Sequence, residues 1–312
     1  ASIGIAGFPM HANDAETLLR HVDVAMYVAK AGGNEAVVYD PAIDKTDQDS
    51  LTLLGDLRRA IEHNEFRLYM QPKIELDSGK VVGAEALLRW MHPKKGLIQP
   101  DDFIPFAEKT GLIRVMTRWV LEQAAVAINS WKKEGLDLKV SVNLSTHDLL
   151  DQDLPAKFMA ILVRHQVASS SFCLEITESA IMNDPVGALQ TLDRLFAMGL
   201  QLSIDDFGTG YSSLAYLKRL PVHELKIDKS FVIDMEFDRN DASIVRSTID
   251  LGHNMSLRVV AEGVETHGAQ MLLNSMGCDQ AQGYFISKPM PVELLLDWTR
   301  QWVPSLPQDN FI

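Results

Sequence analysis

An α/β fold is what this sequence predicts, with the strands closed into a TIM-like (β/α)8 barrel behind a short α+β segment. Three observations carry the prediction. From residue 51 onward, short apolar runs alternate with stretches of helical periodicity, the pattern of a parallel sheet wound with helices. About eight such runs over ~250 residues match the size of a closed barrel. The glycine-rich phosphate loops that an open doubly wound sheet carries after an early strand, GxGxxG or GxxxxGKS/T, are absent from the sequence.

The elements follow in order. Ser2–Ala6 is a β-like run, and Asn13 with Glu16 has the spacing of a capping box. Leu18, Leu19, Val22, Ala25, Met26 and Ala29 then recur at helical spacing. Gly32-Gly33 stops that helix, and Ala36–Tyr39 is a short strand. Two short strands and one helix bury too little surface to stand alone. Residues 1–40 are therefore expected to be the tail of a larger domain or a piece packed on the next one. The polar stretch Asp40–Ser50 (DPAIDKTDQDS) places a linker at 41–50, with the barrel at 51–305 and a tail at 306–312. Within the barrel, Leu51–Glu62 is helical. Strands are expected at 67–71, 81–90, 139–145, 172–177, 201–206, 224–228, 257–262 and 283–287. Helices are expected at 105–110, 114–133, 154–165, 185–198, 241–254 and 268–276.

Composition narrows the function. Hydrophobic residues make up 46% and charged residues 23%, as in an ordinary globular protein. A net charge of −13 argues against binding nucleic-acid polymers through a basic face. It leaves a nucleotide substrate open, because metal ions screen phosphate from carboxylates. The two cysteines, Cys173 and Cys278, have no metal-ligand spacing and read as reduced thiols. No apolar run of ~18 residues predicts a membrane span, and no signal peptide is visible. The expectation is a cytoplasmic domain without membrane contact, any anchor lying upstream.

The strand ends carry the chemistry. Apolar runs lead into Glu85, Asn143, Glu175 (with Glu178 close behind), Asp205-Asp206, Lys226 and Glu262, and Gln282 follows Ala281. In a β/α barrel the carboxyl ends of all strands open on one mouth, so these groups converge. Taken singly, each has a plainer reading as a loop salt bridge, a paired lysine or an acidic turn. Together, the carboxylates repel one another strongly, and one lysine is too little to balance them. Hard oxygen ligands of this kind suit Mg²⁺ or Mn²⁺ rather than zinc. Adjacent carboxylates such as Asp205-Asp206 can bridge two metals, the arrangement that clamps both oxygens of a phosphoryl displacement.

An ordered series of motifs resembles the EAL domains, the cyclic di-GMP phosphodiesterases. It comprises Gln71-Pro72, EALLRW at 85–90, Pro105, Ala107-Glu108 ahead of Thr110-Gly111-Leu112-Ile113, and SVNLS at 141–145. LEITES at 174–179, DDFGTGYSSL at 205–214, LKIDKSF at 225–231, AEGVET at 261–266 and GCDQAQGY at 277–284 complete it. The resemblance implies a barrel with one antiparallel strand and hydrolysis of cyclic di-GMP to linear pGpG by in-line attack. It implies Glu85, Asn143, Glu175 and Asp205 as ligands of one metal and Asp205, Asp206 and Glu262 as ligands of a second, either Mg²⁺ or Mn²⁺. Glu262, Lys226 and Glu85 take the catalytic roles, with Lys226 at the attacking water or the phosphate and Glu262 the candidate base. Gln71, Arg89 and Gln282 are expected at the substrate and the water shell. The segment Phe207, Gly208, Thr209, Gly210, Tyr211, Ser212 and Ser213, anchored by Glu178, is expected to couple the metal site to a homodimer interface. Phe196, Leu214 and Leu217 are read either as part of that interface or as core. The segments SIGIAGFP, DVAMYVAK and GGNEAVVYD within residues 1–40 resemble the end of a GGDEF domain, without the cyclase signature itself. Two other readings stand beside the hydrolase: a non-catalytic cyclic di-GMP receptor of the same fold, and an unrelated Mg²⁺ barrel enzyme such as an enolate-forming lyase.

Overall fold

The structure, a computed structural model, describes residues 3–31, 36–40, 53–209 and 214–304. The chain forms two compact units, one of residues 1–66 with 90–112 and one of residues 67–89 with 113–312. The expected linker at 41–50, the Gly32-Gly33 stop and the tail at 306–312 lie outside the described residues.

In the first unit, strand β1 (Ile3–Ile5) pairs in parallel with β2 (Ala36–Val38), Ile3 opposite Ala36, and helix α1 (Ala15–Ala31) connects them. Val24, Ala25 and Tyr39 form a small core there. The start of α1 corrects the expected capping box. Ala15 is the first helical residue, so the cap falls on Asp14, whose carboxylate accepts from the Thr17 backbone N–H at 2.7 Å and from its hydroxyl at 2.9 Å. Helix α2 (residues 53–62) also belongs to this unit.

Strand β3 (Phe66–Glu75) and strand β4 (Val81–His92) lie mostly in the second unit, and β5 (Gly96–Ile98) pairs antiparallel with the end of β4. Helix α3 (Pro100–Thr110) starts five residues before the expected 105, with Pro100 at the first turn, where a missing N–H costs nothing. Helix α4 (Ile113–Lys133), strand β6 (Lys139–Leu144), helix α5 (Thr146–Leu149) and helix α6 (Leu154–His165) follow. Next come β7 (Phe172–Thr177), α7 (Glu178–Asn183), α8 (Pro185–Ala197), β8 (Gln201–Phe207) and α9 (Leu214–Leu217). Then β9 (Glu224–Ile227), α10 (Lys229–Val232), α11 (Arg239–Asn254), β10 (Arg258–Ala261) and α12 (His267–Ser275) appear. The last elements are β11 (Gln280–Ala281), β12 (Met290–Pro291) and α13 (Leu295–Gln301).

The sheet runs β3-β11-β10-β9-β8-β7-β6-β4, and β4 pairs back to β3, closing an eight-stranded barrel. The pairs from β4 through β6, β7, β8, β9 and β10 to β11 are parallel, and β3 is antiparallel to β11. The expected (β/α) barrel with one reversed strand is therefore the fold. Its last strand is misplaced in the sequence reading, at 280–281 rather than 283–287. The Ile286 and Ser287 amides donate back to the Gly283 carbonyl at 3.1 and 3.0 Å, so that stretch is a turn. Tyr284 and Phe285, whose apolar character suggested a strand, are 56% and 38% exposed.

Strand alternation puts apolar residues on the outside of the wall. Ile74, Ile204, Leu225, Ile227, Val259 and Ala261 pack there with Val245, Ile249 and Leu273 of the helices. The inside is polar. Lys73, Ser141, Glu175, Glu224 and Lys226 are at most 4% exposed, yet they touch one another across non-adjacent strands. Only inward-pointing side chains can do that.

Candidate metal centre at the carboxyl ends of the strands

The strand register assembles the site. Asn143 of β6 lies opposite Glu175 of β7, and Thr177 opposite Asp205 of β8. Two consecutive residues of a regular strand face opposite ways, so Asp205 and Asp206 could not both reach one cavity. A register shift between Ile204 and Phe207 breaks the β8–β9 ladder at this point. Asp206 takes φ of 54°, in the left-handed region, and its backbone N–H donates to Asp205 Oδ1 at 3.0 Å. Such irregularities re-aim side chains beside functional sites. As a result Asp205, Asp206 and Glu262 each present a carboxylate oxygen, all within 4.8 Å of one another.

Lys226 stands at the centre, fully buried. Its ammonium lies 2.6 Å from Glu262, 2.7 Å from Glu175, 3.0 Å from Asp205 and 3.8 Å from Glu85. Glu85 accepts from Asn143 Nδ2 at 2.8 Å and from Gln282 Nε2 at 2.7 Å, and the same amide donates to Gln71 Oε1 at 3.0 Å. Gln71 donates in turn to the Ser287 carbonyl at 3.2 Å. Glu85, Asn143, Glu175, Asp205, Asp206, Lys226, Glu262, Gln71 and Gln282 thus form one connected cluster. The guanidinium of Arg89 lies over the Tyr69 ring at 5.5 Å and donates to the Leu88 carbonyl at 2.9 Å.

Lys73 is the residue the sequence reading missed. It donates to Ser141 Oγ at 2.5 Å and to Glu175 Oε1 at 2.9 Å, and lies 3.7 Å from Glu224 Oε1. The signal was available: it sits two residues after Gln71 on the same strand, hence on the same face.

The electrostatics express an excess of negative charge. Burial pushes the Glu262 carboxyl up to about 8, against Lys226 and with help from Asp205, Glu85 and Glu175. Burial also raises Glu85, Asp205 and Asp206, Asp206 with a further push from Asp228. Glu175 goes the other way. Burial alone would raise it, but the ammonium groups of Lys226 and Lys73 outweigh burial and hold it at about 2. Both lysines stay charged, because their carboxylate neighbours overcome the burial that would neutralise them. An all-oxygen donor set with an uncompensated surplus of carboxylates fits a hard divalent cation. Asp205, Asp206 and Glu262 could hold one.

Behind this cluster, Glu178 opens α7, whose Thr177 cap accepts from the Ala180 N–H at 3.2 Å. Phe207 is buried and lines a small pocket with Glu178, Ile181 and Leu217. Leu217 is buried, Phe196 is 44% exposed, and the side chain of Leu214 is not among those described. Gly208 takes φ of 100°, and the Thr209 hydroxyl donates to the Asp206 carbonyl at 2.9 Å, tying the start of the loop to a residue of the cluster. Gly210, Tyr211, Ser212 and Ser213 lie outside the described residues. Both cysteines are buried free thiols. Among the described residues, no helix is long and apolar enough to cross a membrane.

Fold and site together define a (β/α) barrel with a cluster of acidic side chains at its carboxyl mouth. The family description "EAL domain" matches residues 54–289, and the chain belongs to that family. It is 44% identical over 298 residues to MucR of Pseudomonas aeruginosa, described as a bifunctional diguanylate cyclase/cyclic di-GMP phosphodiesterase, covering 95% of this chain and 44% of that protein. It is 36% identical over 306 residues to the cyclic di-GMP phosphodiesterase PdeR of Escherichia coli, covering 97% of this chain and 46% of that one. Among solved structures, the MucR phosphodiesterase in complex with c-di-GMP superposes with a TM-score of 0.76 at 46% identity, covering 78% of this chain and 99% of that one. The chain spans less than half the length of these two curated relatives.

Proposed function

We propose that this chain hydrolyses one phosphodiester bond of cyclic di-GMP to give linear pGpG, using two Mg²⁺ or Mn²⁺ ions. The observation that carries the reading is the convergence of Asp205, Asp206 and Glu262 within 4.8 Å, on a barrel of the EAL family. Glu85, Asn143, Glu175 and Asp205 are assigned to one cation, and Asp205, Asp206 and Glu262 to the other. Divalent cations bound there supply Lewis-acid activation of water and phosphate. The chain's own groups do the rest. Lys226 offers a permanent positive charge beside the reacting phosphate, and Glu262 accepts the proton of the attacking water. Gln282 and Asn143 fix Glu85 from two sides, and Gln71 and Arg89 contact the nucleotide. Residues 1–40 are assigned to the end of a GGDEF domain, residues 51–305 to the hydrolase, and the loop at 207–213 with Glu178 to a homodimer contact.

The deciding experiment incubates the protein with cyclic di-GMP and Mg²⁺ or Mn²⁺ and follows pGpG by chromatography. Turnover is expected in the parent protein and its loss in Glu85→Gln and in Asp205→Asn, with the fold kept by circular dichroism. Tight binding without pGpG would overturn the hydrolase and leave a receptor. Full activity in both variants would overturn the ligand assignment.

A further inference from the structure

The opposite mouth of the barrel holds a cavity of about 750 Å³, lined by residues that open strands: Val81, Lys139, Gln201, Glu224, Arg258 and Gln280. Small-molecule sites commonly fall between about 300 and 1,000 Å³. None of the clustered residues at the carboxyl mouth lines it; Lys73 and Ser141 of the barrel interior reach it.

Two half-buried cations meet inside. Lys139 Nζ and Arg258 Nη2 donate to the same atom, Gln201 Oε1, at 3.0 and 2.8 Å. Among the described residues no carboxylate lies within ion-pair distance of either; one amide oxygen is their shared partner. Two like charges held side by side with no carboxylate in contact are costly, and such arrangements mark ligand sites. Neighbouring basic groups register the surplus. Burial, followed by the charge of Arg258, pulls Lys139 below the usual lysine range, and burial with Arg258 and Lys139 does the same to His223. Glu224, the buried acid at this depth, is turned to Lys73 at 3.7 Å and has an oxygen without a hydrogen-bond partner. Glu75, Asp77 and Asp137 also line the cavity and are exposed, and half-buried Asp279 lines it too, but its Oδ2 accepts from the Val259 N–H at 2.7 Å and lies 2.9 Å from His253.

We propose that this cavity is a second ligand site, which takes a small phosphate monoester by its oxyanion. Lys139 and Arg258 pair with the phosphate oxygens, a task suited to a planar guanidinium beside a point charge. The exposed carboxylates disfavour a second anionic group, so the remainder of the ligand is neutral or cationic.

The test titrates inorganic phosphate and phosphoethanolamine into the metal-free full chain by calorimetry at constant ionic strength. Saturable binding is expected, phosphoethanolamine tighter than phosphate. Lys139→Met and Arg258→Gln should each weaken it about tenfold or more, and Asp205→Asn at the other mouth should leave it unchanged. Gln201→Glu supplies an internal counter-charge to both cations. It should abolish binding and raise the melting temperature, a readout that does not depend on the other variants folding. Absence of saturable binding would overturn the proposal, as would binding that survives Lys139→Met and Arg258→Gln but fails in Asp205→Asn. A lowered melting temperature in Gln201→Glu would mean the two cations are already neutralised, and would overturn it as well.

Discussion

Replacing Lys73 by methionine keeps the length and apolar stem of the side chain and deletes its charge. The ammonium lies 2.9 Å from Glu175 and 3.7 Å from Glu224, with all three side chains at most 6% exposed. At an effective dielectric of about 20 these contacts are worth about 6 and about 4 kcal/mol in gross Coulomb energy. Most of that offsets the desolvation of the ammonium. What the variant loses is better taken from buried pairs broken on one side, about 3–5 kcal/mol, because the carboxylates stay behind uncompensated. Glu175 retains Lys226 at 2.7 Å, whereas Glu224 loses its one ion-pair partner among the described residues. The double variant Lys73→Met/Glu224→Gln is therefore expected to be more stable than Lys73→Met alone by about 1 kcal/mol or more, since it removes one abandoned charge. The assay is urea unfolding of metal-free protein at pH 7, comparing midpoints at unchanged slope. A loss below about 1 kcal/mol for Lys73→Met, or a double variant weaker than the single, would refute the claim that this lysine neutralises the barrel interior.

Adding Mg²⁺ or Mn²⁺ should raise the melting temperature of the metal-free protein, by about 2.7 kcal/mol of stability at one hundred times the dissociation constant. Asp206→Asn should blunt the effect, and an unchanged response would remove Asp206 from the ligand set. A Cβ at Gly283 would lie 2.1 Å from the Val264 carbonyl oxygen and 2.2 Å from its nitrogen, whereas one at Gly55 meets nothing within 4 Å. Gly283→Ala should thus cost more than about 3 kcal/mol in a thermal melt, and Gly55→Ala, on α2, should gain up to about 1 kcal/mol. Glu65 accepts from Trp90 Nε1 at 2.9 Å and Arg59 Nε at 3.0 Å. Burial would raise its carboxyl, but these donors overcome burial and hold it below its ordinary 4.5. A depressed acid stabilises the fold above its unfolded value and loses that contribution as pH falls through the folded one. Glu65→Gln should therefore cost about 1–2 kcal/mol at pH 7, and the gap to the parent should shrink below pH 4.5; a gap that is constant with pH would refute the pairing.

The barrel and the acidic mouth were legible because both rest on strong local signals. Runs such as Val140-Ser141-Val142 before Asn143 and Val259-Val260-Ala261 before Glu262 announce a strand and its end in the same few residues. That one strand is reversed came from the family resemblance, which left open which one, since alternation alone carries no direction; it is β3. Strand β5, of three residues, and strand β12, of two, are too short for any period to show. The run Gly283–Ser287 misled because apolar residues suggest a strand whether or not their amides find one; here Ile286 and Ser287 bond back to Gly283. Asp206 was named for the site, but the backbone turn that brings it in beside Asp205 could not be read, because it depends on a register shift against β9. Lys73 was missed because the expected strand stops at 71, whereas β3 runs on to Glu75 and carries Lys73 inward on the same face as Gln71.

That closure gives the interior its unusual content. A β/α barrel is ordinarily filled with branched apolar side chains in layers. Here the filling is Lys73, Ser141, Glu175, Ser203, Glu224 and Lys226, each buried to 4% exposure or less. Apolar packing would be the cheaper way to fill a barrel, since burying ions costs several kcal/mol each before they pair. What ions provide instead is position. Glu175 is held by a lysine on each oxygen, Lys226 on one and Lys73 on the other, so its carboxylate has one orientation left. Glu85 is fixed likewise by Asn143 on one oxygen and Gln282 on the other. A metal site needs its ligands aligned before the cation arrives, and their supporting shell decides whether they are. In this chain that shell would be the charged barrel core: its two lysines hold Glu175 ionised and in one orientation, while burial keeps Glu262, Glu85 and Asp205 raised for want of further positive charge.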